Sequence, residues 1–208
     1  MRYDRCKKLF SKFDKLKNLK VLICGVGGVG GYALDCLYRS GVKNITIIDF
    51  DTFDKTNQNR QIGSEFTGEK KVKVLKKFYP GIKAIDMKLT PENIKILDLE
   101  QYDIVIDAID DLNAKIALIK KAHPKIISSM GAAKRIDPTK IKIDSIWKTQ
   151  NDPFAKKIRD RLKKENFKGD FKVVFSLEKP VVCDMGSFVG VTGAFGFALC
   201  SEVLKDFV

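Results

Sequence analysis

The chain has 208 residues, 44% of them hydrophobic and 31% charged, the balance of a globular protein long enough to bury a substantial core. No apolar run reaches the roughly 20 residues that span a bilayer, and the charged start Met1-Arg2-Tyr3-Asp4-Arg5-Cys6 lacks the apolar stretch of a secretory signal, so a cytoplasmic location with no membrane partner is expected. The net charge of +13 concerns partners rather than fold, and fits either a polyanion or a set of solvated lysine faces.

In chain order, Lys20-Val21-Leu22-Ile23-Cys24 is an apolar run that reads as a strand and enters the glycine turn Gly25-Val26-Gly27-Gly28-Val29-Gly30. Gly31 to Ser40 carries Ala33, Leu34, Leu37 and Tyr38 at helical spacing, and Gly41 is placed to stop that helix. Asn44 to Asp49 is a second strand, which completes a right-handed βαβ unit with parallel strands. Asp51 to Phe66 is polar and reads as a loop with a short turn of helix. Lys70 to Tyr79 is expected to be helical on Val72, Val74, Leu75 and Phe78. Lys83 to Leu89 reads as a strand, and Pro91 to Leu97 as a short helix capped by Thr90.

Tyr102 to Asp107 is a buried strand that ends in the acidic cluster Asp107, Asp110 and Asp111. Asn113 to Ala122 reads as a helix, and Lys125 to Ser129 as a strand leading into Gly131. This alternation predicts a Rossmann-like, doubly wound, mostly parallel α/β sheet. Beyond Gly131 the pattern changes. Lys140 to Trp147 alternates as a half-exposed strand does, Asp152 to Lys164 is a basic helix, and Phe171 to Leu177 is a further strand. Phe188 to Phe207 reads as a closing apolar helix with Gly193 and Gly196 as weak points. A mixed β extension at the C-terminal side follows. With no repeat and no low-complexity linker, residues 1–208 read as one ATP-binding adenylating domain once the motifs below are added.

The cysteines are Cys6, Cys24, Cys36, Cys183 and Cys200. None form a C-x-x-C pair, and their odd number argues against a disulfide framework. Cys24 and Cys36 read as buried thiols that act as small hydrophobes. His123, the one histidine, precedes Pro124 at a helix end and is assigned a capping role rather than catalysis.

Gly25, Gly27 and Gly30 fit G-x-G-x-x-G between a strand and a helix. That arrangement lets the backbone approach a phosphate at a helix N-terminus, where free N–H groups and the positive dipole end favour an anion. Asp49 follows at the end of the second strand, where an acid accepts from ribose hydroxyls. The motif by itself does not choose among NAD, FAD and ATP. Gly63 to Lys70 has glycine spacing but lacks the G-K-[ST] ending of a Walker A loop.

The loop Asp49-Phe50-Asp51-Thr52-Phe53-Asp54-Lys55-Thr56-Asn57-Gln58-Asn59-Arg60-Gln61 favours a nucleoside triphosphate. Arg60 supplies a planar fork for phosphate oxygens, Asn57 and Asn59 supply amides, and Lys71 adds a point charge. Asp107 and Asp110 end a parallel strand and are placed to hold Mg²⁺ directly or through water.

On these residues the chain resembles the ubiquitin-activating-enzyme-like superfamily, which includes the adenylating enzymes of molybdopterin and thiamine synthesis. The match runs through Gly25-x-Gly27-Gly28-x-Gly30, Asp49-x-Asp51, Thr56-Asn57-x-Asn59-Arg60-Gln61, Lys71-Val72 and Asp107-Ala108-Ile109-Asp110. The resemblance implies that Asp49 binds ribose, that Arg60 and Lys71 bind the triphosphate, and that Asp110 positions Mg²⁺. It implies attack of a carboxylate on the α-phosphate, giving an acyl adenylate and pyrophosphate, with Arg60, Lys71 and Asp110 as the catalytic set. It also implies a homodimer, into whose partner site Arg2 or Arg5 reaches, and a sulfur-transfer or cysteine desulfurase partner.

The second half is similar to one branch, the tRNA threonylcarbamoyladenosine dehydratases. It is carried by Ser129-Met130-Gly131-Ala132-Ala133, Arg135-Ile136-Asp137-Pro138-Thr139-Lys140-Ile141, Lys148-Thr149, Asp152-Pro153-Phe154-Ala155, Ile158-Arg159 and Leu162. Gly186-Ser187-Phe188 through Thr192-Gly193-x-Phe195-Gly196 extend it. The implied reaction is ATP activation of the threonine carboxylate on the adenosine next to the anticodon, followed by ring closure. Lys156, Lys157, Arg159, Arg161, Lys163 and Lys164 are then placed to track tRNA phosphates, the alternative being a solvated basic face. Cys183 is a candidate sulfur acceptor with no local base, which favours a structural role. The zinc-binding cysteine pairs of the molybdopterin and thiamine members are missing, which disfavours the alternative function, adenylation of a small ubiquitin-like carrier protein. A non-catalytic nucleotide-binding module is the third reading.

Overall fold

The computed structural model describes residues 2–182, 184 and 186–208; Cys183 therefore lies outside the described residues. Strand β1 (Lys20–Cys24) is central to the sheet, and its side chains serve both faces. Val21 and Ile23 enter one core, Leu22 and Cys24 the other. Two-sided burial is why this run is continuously apolar rather than alternating. With it stand β2 (Asn44–Asp49), β3 (Lys83–Asp86), β4 (Ile104–Asp107), β5 (Ile126–Ser129), β6 (Ile141–Ser145) and β7 (Lys172–Ser176). The seven-stranded sheet has the order β3-β2-β1-β4-β5-β7-β6. Every neighbouring pair is parallel except β6 with β7, the expected mixed extension. The order reverses between β1 and β4, and the carboxyl ends at such a switch point are where open α/β sheets bind ligands.

Helices cover both faces. Helices α1 (Asp4–Leu9), α2 (Phe13–Asn18), α3 (Gly30–Ser40), α4 (Lys71–Phe78) and α8 (Val189–Leu204) lie on one. Helices α5 (Pro91–Ile96), α6 (Leu112–Ala122) and α7 (Pro153–Lys164) lie on the other. The elements expected from the sequence all form, with ends moved by local chemistry. Asp152 is the N-cap of α7 rather than its first residue, accepting from the N–H groups of Phe154 and Ala155 at 3.0 and 2.9 Å, with Pro153 next. Thr90 caps α5 as expected, in a capping box with Asn93. β3 stops at Asp86, short of Leu89, whose side chain turns into the core under α5 and α6. His123 is the C-cap residue of α6, and its Nε2–H donates to the Asp170 carbonyl at 3.0 Å, a structural place.

Helices α1 and α2 have no counterpart in the sequence reading. They are six-residue, lysine-rich segments, too short to be stable by propensity. Packing of Phe10, Phe13 and Leu16 into the core holds them.

Helix α8 lies along α3, and two expectations change there. Gly193 and Gly196 are not weak points but the contact itself. A Cβ on Gly196 would come within 2.5 Å of the Val29 carbonyl oxygen and 2.6 Å of the Tyr32 Cβ. Cys36 is not a lone thiol: it is disulfide-bonded to Cys200 across the two helices, with Cα atoms 6.1 Å apart. The pair is 164 residues apart in sequence, so only the packing reveals it. Cys24 does behave as a buried hydrophobe, and burial pushes its thiol well above the usual range. Among the described residues, no helix is long and apolar enough to cross a membrane.

Two measurements check this packing. Gly196→Ala should lower stability by about 1–3 kcal/mol through overpacking, read as a lower urea midpoint. Iodoacetamide followed by peptide mapping should leave Cys24 unmodified in the folded protein and label it only after denaturation.

Candidate functional site

The carboxyl ends of β1, β2 and β4 meet at the glycine turn. Gly25 has φ 84° and donates its N–H to the Ile48 carbonyl at 2.8 Å. A Cβ there would lie 2.8 Å from the Ala108 carbonyl oxygen, and one on Gly30 only 1.9 Å from that of Gly25. No side chain larger than hydrogen fits at either position. The consequence is that α3 starts directly behind the turn, with no side-chain cap at its N-terminus. Among the described residues, the N–H groups of Gly27, Gly28 and Val29 meet no acceptor. Free N–H groups at a helix start form a site for an anion.

The Asp49 carboxylate braces this turn. Its Oδ2 accepts from the Val26 N–H at 2.8 Å and its Oδ1 from the Asp51 N–H at 2.9 Å. Arg60 lies across the turn, its Cγ 3.2 Å from where a Gly28 Cβ would stand. One of its terminal nitrogens donates to the Thr56 carbonyl at 2.9 Å and to Asn59 Oδ1 at 2.8 Å. Asn59 in turn donates to the Ser187 carbonyl at 3.0 Å, joining this loop to the far end of the chain. Lys71, the first residue of α4, is buried and pairs with the half-exposed Asp51 at 2.9 Å. Asp110 is exposed beyond the end of β4, and Asp111 caps α6 through the Ala114 N–H at 2.8 Å. The turn, Asp49, Asp51, Asn59, Arg60, Lys71 and Asp110 thus come together at one edge of the sheet.

Two expected ligands are placed otherwise. Asn57 is buried and its side-chain oxygen accepts from the Asp54 N–H at 3.2 Å; it closes the 3₁₀ turn Lys55–Asn57 instead of facing a phosphate. Asp107 is fully buried. Its Oδ2 takes Lys115 Nζ at 2.7 Å and Ser128 Oγ at 2.5 Å, and its Oδ1 takes the Ile109 N–H at 3.2 Å. With its oxygens engaged below the surface, Asp107 holds the β4 exit in shape rather than contacting a metal directly.

Lys115 was missed by sequence reading, although a signal existed. It occupies the stripe shared by Leu118, Ile119 and Ala122, at i, i+3, i+4 and i+7, where a lysine has no place without a buried acid. Its ammonium also donates to the Ser128 hydroxyl and the Ser129 carbonyl at 3.2 and 3.1 Å, so all three protons are used. Gln61 lies beside the glycine turn. Its Nε2 is 3.6 Å from the Gly27 Cβ position, and its Oε1 is the buried side-chain atom without a partner among the described residues.

At the neighbouring strand ends, buried Arg135 and Asp152 pair at 3.4 Å. Arg135 also donates to the Gly131 and Asn151 carbonyls, and Asp152 accepts from the Gly131 N–H at 3.0 Å. Burial pushes the Asp152 carboxyl up, against the opposing pull of these donors. On α7, Arg159 turns inward to the Thr149 hydroxyl, which sets it apart from the other expected phosphate contacts. Lys156 pairs with Asp160 at 2.8 Å and Arg161 with Glu165. Lys157, Lys163 and Lys164 are exposed.

A family model described as the ThiF family matches residues 9–205. The tRNA threonylcarbamoyladenosine dehydratase of Bacillus subtilis (strain 168) is 41% identical over 180 residues, covering 81% of this chain and 71% of its own. The enzyme of that name from Escherichia coli (strain K12) is 34% identical over 226 residues, covering 89% and 84%. A crystal structure of the E. coli tRNA N6-threonylcarbamoyladenosine dehydratase in complex with ATP superposes with a TM-score of 0.91 at 33% identity, covering 99% of this chain and 93% of that one.

The buried pair beneath the site yields a test. Lys115→Met should cost about 3–5 kcal/mol, because it strands the Asp107 charge in the interior. Adding Asp107→Asn to it should recover part of the loss, as measured by urea unfolding of the single and double variants.

Proposed function

The chain belongs to the ThiF family, and from that premise we propose that it uses ATP to dehydrate threonylcarbamoyladenosine in tRNA. The observation that carries this reading is likeness over nearly the whole chain, second half included, to a dehydratase whose structure holds ATP. The threonine carboxylate of the modified adenosine attacks the α-phosphate of ATP, and pyrophosphate leaves. An internal nucleophile of the carbamoyl group then attacks the acyl adenylate, AMP departs with the carboxylate oxygen, and the ring closes. Water is lost in effect to ATP cleavage, and the intramolecular attack brings a large effective molarity.

Each residue at the sheet edge has a task in this reaction. The open N–H groups of Gly27, Gly28 and Val29 and the start of α3 receive the phosphates. Gly25 and Gly30 keep the backbone close enough for that contact. Arg60 and Lys71 neutralise charge as it moves onto the pyrophosphate, with Asp51 and Asn59 holding them in place. Asp49 keeps its remaining lone pairs for ribose hydroxyls while it braces the turn. Asp110 is the exposed carboxylate fitted to Mg²⁺, which commonly takes one or two carboxylates together with substrate phosphates. When bound, Mg²⁺ withdraws charge from the phosphate oxygens. Asp107 and Asn57 act through the backbone they shape.

Residues 1–208 work as one adenylating unit in the cytoplasm, paired as a homodimer. Arg5 is the better candidate for an arm into the partner site. Arg2 is already engaged over the rings of Tyr3 and Tyr38, 5.5 and 5.1 Å from their centroids. The exposed lysines of α7 face the tRNA backbone.

Three outcomes are expected. Nucleoside mass analysis after incubation of tRNA with the enzyme, ATP and Mg²⁺ should show threonylcarbamoyladenosine reduced by one water; unchanged nucleoside removes the reading. Arg60→Ala should lower turnover by at least a hundredfold with an unchanged urea midpoint, consistent with loss of one strong charge contact at a transferring phosphate. Chelation with EDTA should stop turnover, and added Mg²⁺ should restore it.

A further inference from the structure

Helices α3 and α8 meet in matching steps. Gly193 lies against the ring of Tyr32, and Gly196 against the Tyr32 Cβ and the Val29 carbonyl. About one turn further along both helices, Cys36 is bonded to Cys200. The near ends of the same two helices belong to the nucleotide edge. Helix α3 starts at the open N–H groups of the glycine turn. Ser187, just before the N-cap of α8, offers its carbonyl to Asn59, which in turn holds Arg60. The bond therefore ties, at their far ends, the helix that receives the phosphates to the helix that steadies the arginine loop.

The two sulfurs differ in access. Cys36 is half-buried, whereas Cys200 is wholly buried. That asymmetry suits thiol–disulfide exchange, in which one thiol meets an outside reagent and a second resolves the mixed disulfide. In the oxidising direction the Cys36 thiolate attacks a small-molecule disulfide and releases one thiol. The Cys200 thiolate then attacks the Cys36 sulfur and releases the second. The protein loses two protons and two electrons, and one small-molecule disulfide becomes two thiols. Excess thiol reverses both steps. Disulfides in a reducing compartment are usually of this transient kind. Bonded sulfurs stand about 2 Å apart, whereas unbonded atoms of comparable size prefer about 3.5–4 Å. Reduction must therefore turn Cys36 away from α8 or part the two helices, and either movement removes the tie.

We propose that Cys36 and Cys200 form a reversible redox site that tunes the nucleotide edge, the bonded form binding ATP more tightly than the dithiol form. The proposal rests on the ATP reading above and adds a control that acts from the far ends of α3 and α8. Because binding free energies are reciprocal, ATP holds the bond closed by the same factor by which the bond tightens ATP.

The test equilibrates the protein in glutathione buffers of graded ratio, with and without ATP, then quenches with iodoacetamide and reads the Cys36 and Cys200 peptides by mass. Calorimetry gives the ATP affinity of the oxidised protein, the reduced protein and Cys36→Ala/Cys200→Ala, which cannot close the bond. The reduced wild type supplies the comparison even where the variant does not fold. The oxidised protein should bind ATP about five- to tenfold more tightly than the other two, and ATP should shift the glutathione midpoint by the same factor. Its urea midpoint should be higher by about 1–2 M, because the bond closes a long loop of the unfolded chain. A bond that raises the urea midpoint but moves neither ATP affinity nor the glutathione midpoint overturns the switch alone, leaving a structural staple. Absence of the joined Cys36–Cys200 peptides at the most oxidising ratio overturns it as well. A protein that binds no ATP in either form overturns the ATP reading together with the switch.

Discussion

The closeness of Gly25, Gly30 and Ala108 is the constraint on which the rest of this structure depends. A single methyl group at Gly30 would stand 1.9 Å from the Gly25 carbonyl oxygen, so the turn exists only with bare backbone. Because it is this tight, α3 begins against the ends of β1 and β4 and points its free N–H groups over the switch point of the sheet. The turn is held from three directions. Asp49 fastens it to the exit of β2, Ala108 bears on it from β4, and α8 presses Gly196 against the Val29 carbonyl from behind. The last contact explains why a helix near the C-terminus matters to a motif near residue 25.

Charge is handled differently at two depths. Beneath the site, Asp107 and Lys115 are wholly buried, and each has its hydrogen-bonding capacity filled by the other, by Ser128, and by backbone. A pair of this kind adds little net stability, but losing one member is costly; it fastens β4, β5 and α6 at the point where the Ala108-Ile109-Asp110 loop leaves the sheet. At the carboxyl edge of the sheet the charges are less completely enclosed. Lys71 is buried but its partner Asp51 is half-exposed, and Arg60 rests on a carbonyl and an amide oxygen, neutral acceptors that leave its charge unbalanced, unlike the carboxylate that faces Lys115.

Much of this was legible in the residues. The β1–turn–α3–β2 unit, the later parallel strands, the Thr90 cap and the presence of a mixed β extension follow from apolar spacing, glycines and capping residues, all of which act over a few positions. The acid at Asp49 and the Asn59-Arg60 loop are legible for the same reason: their place at strand ends is set by the strands themselves. Less legible were α1 and α2, whose short lysine-rich segments form only because Phe10, Phe13 and Leu16 find a core built from distant residues. The Cys36–Cys200 bond was hidden by sequence distance, and an odd number of cysteines pointed the wrong way.

By itself, then, the sequence determined the doubly wound sheet, the phosphate-facing turn and the family of chemistry, since these rest on local backbone requirements and on residue types at fixed spacing. Tertiary structure alone decided which polar side chains face outward. Asp107 and Asp110 are equally acidic and stand three positions apart, yet one is sealed against Lys115 and the other is open to solvent. Asn57 and Asn59 divide in the same way, one closing its own turn and one bridging to Ser187. The physical reason is that burial is a property of what packs on top. The residues that cover Asp107 come from α6 and β5, elements distant from it in sequence.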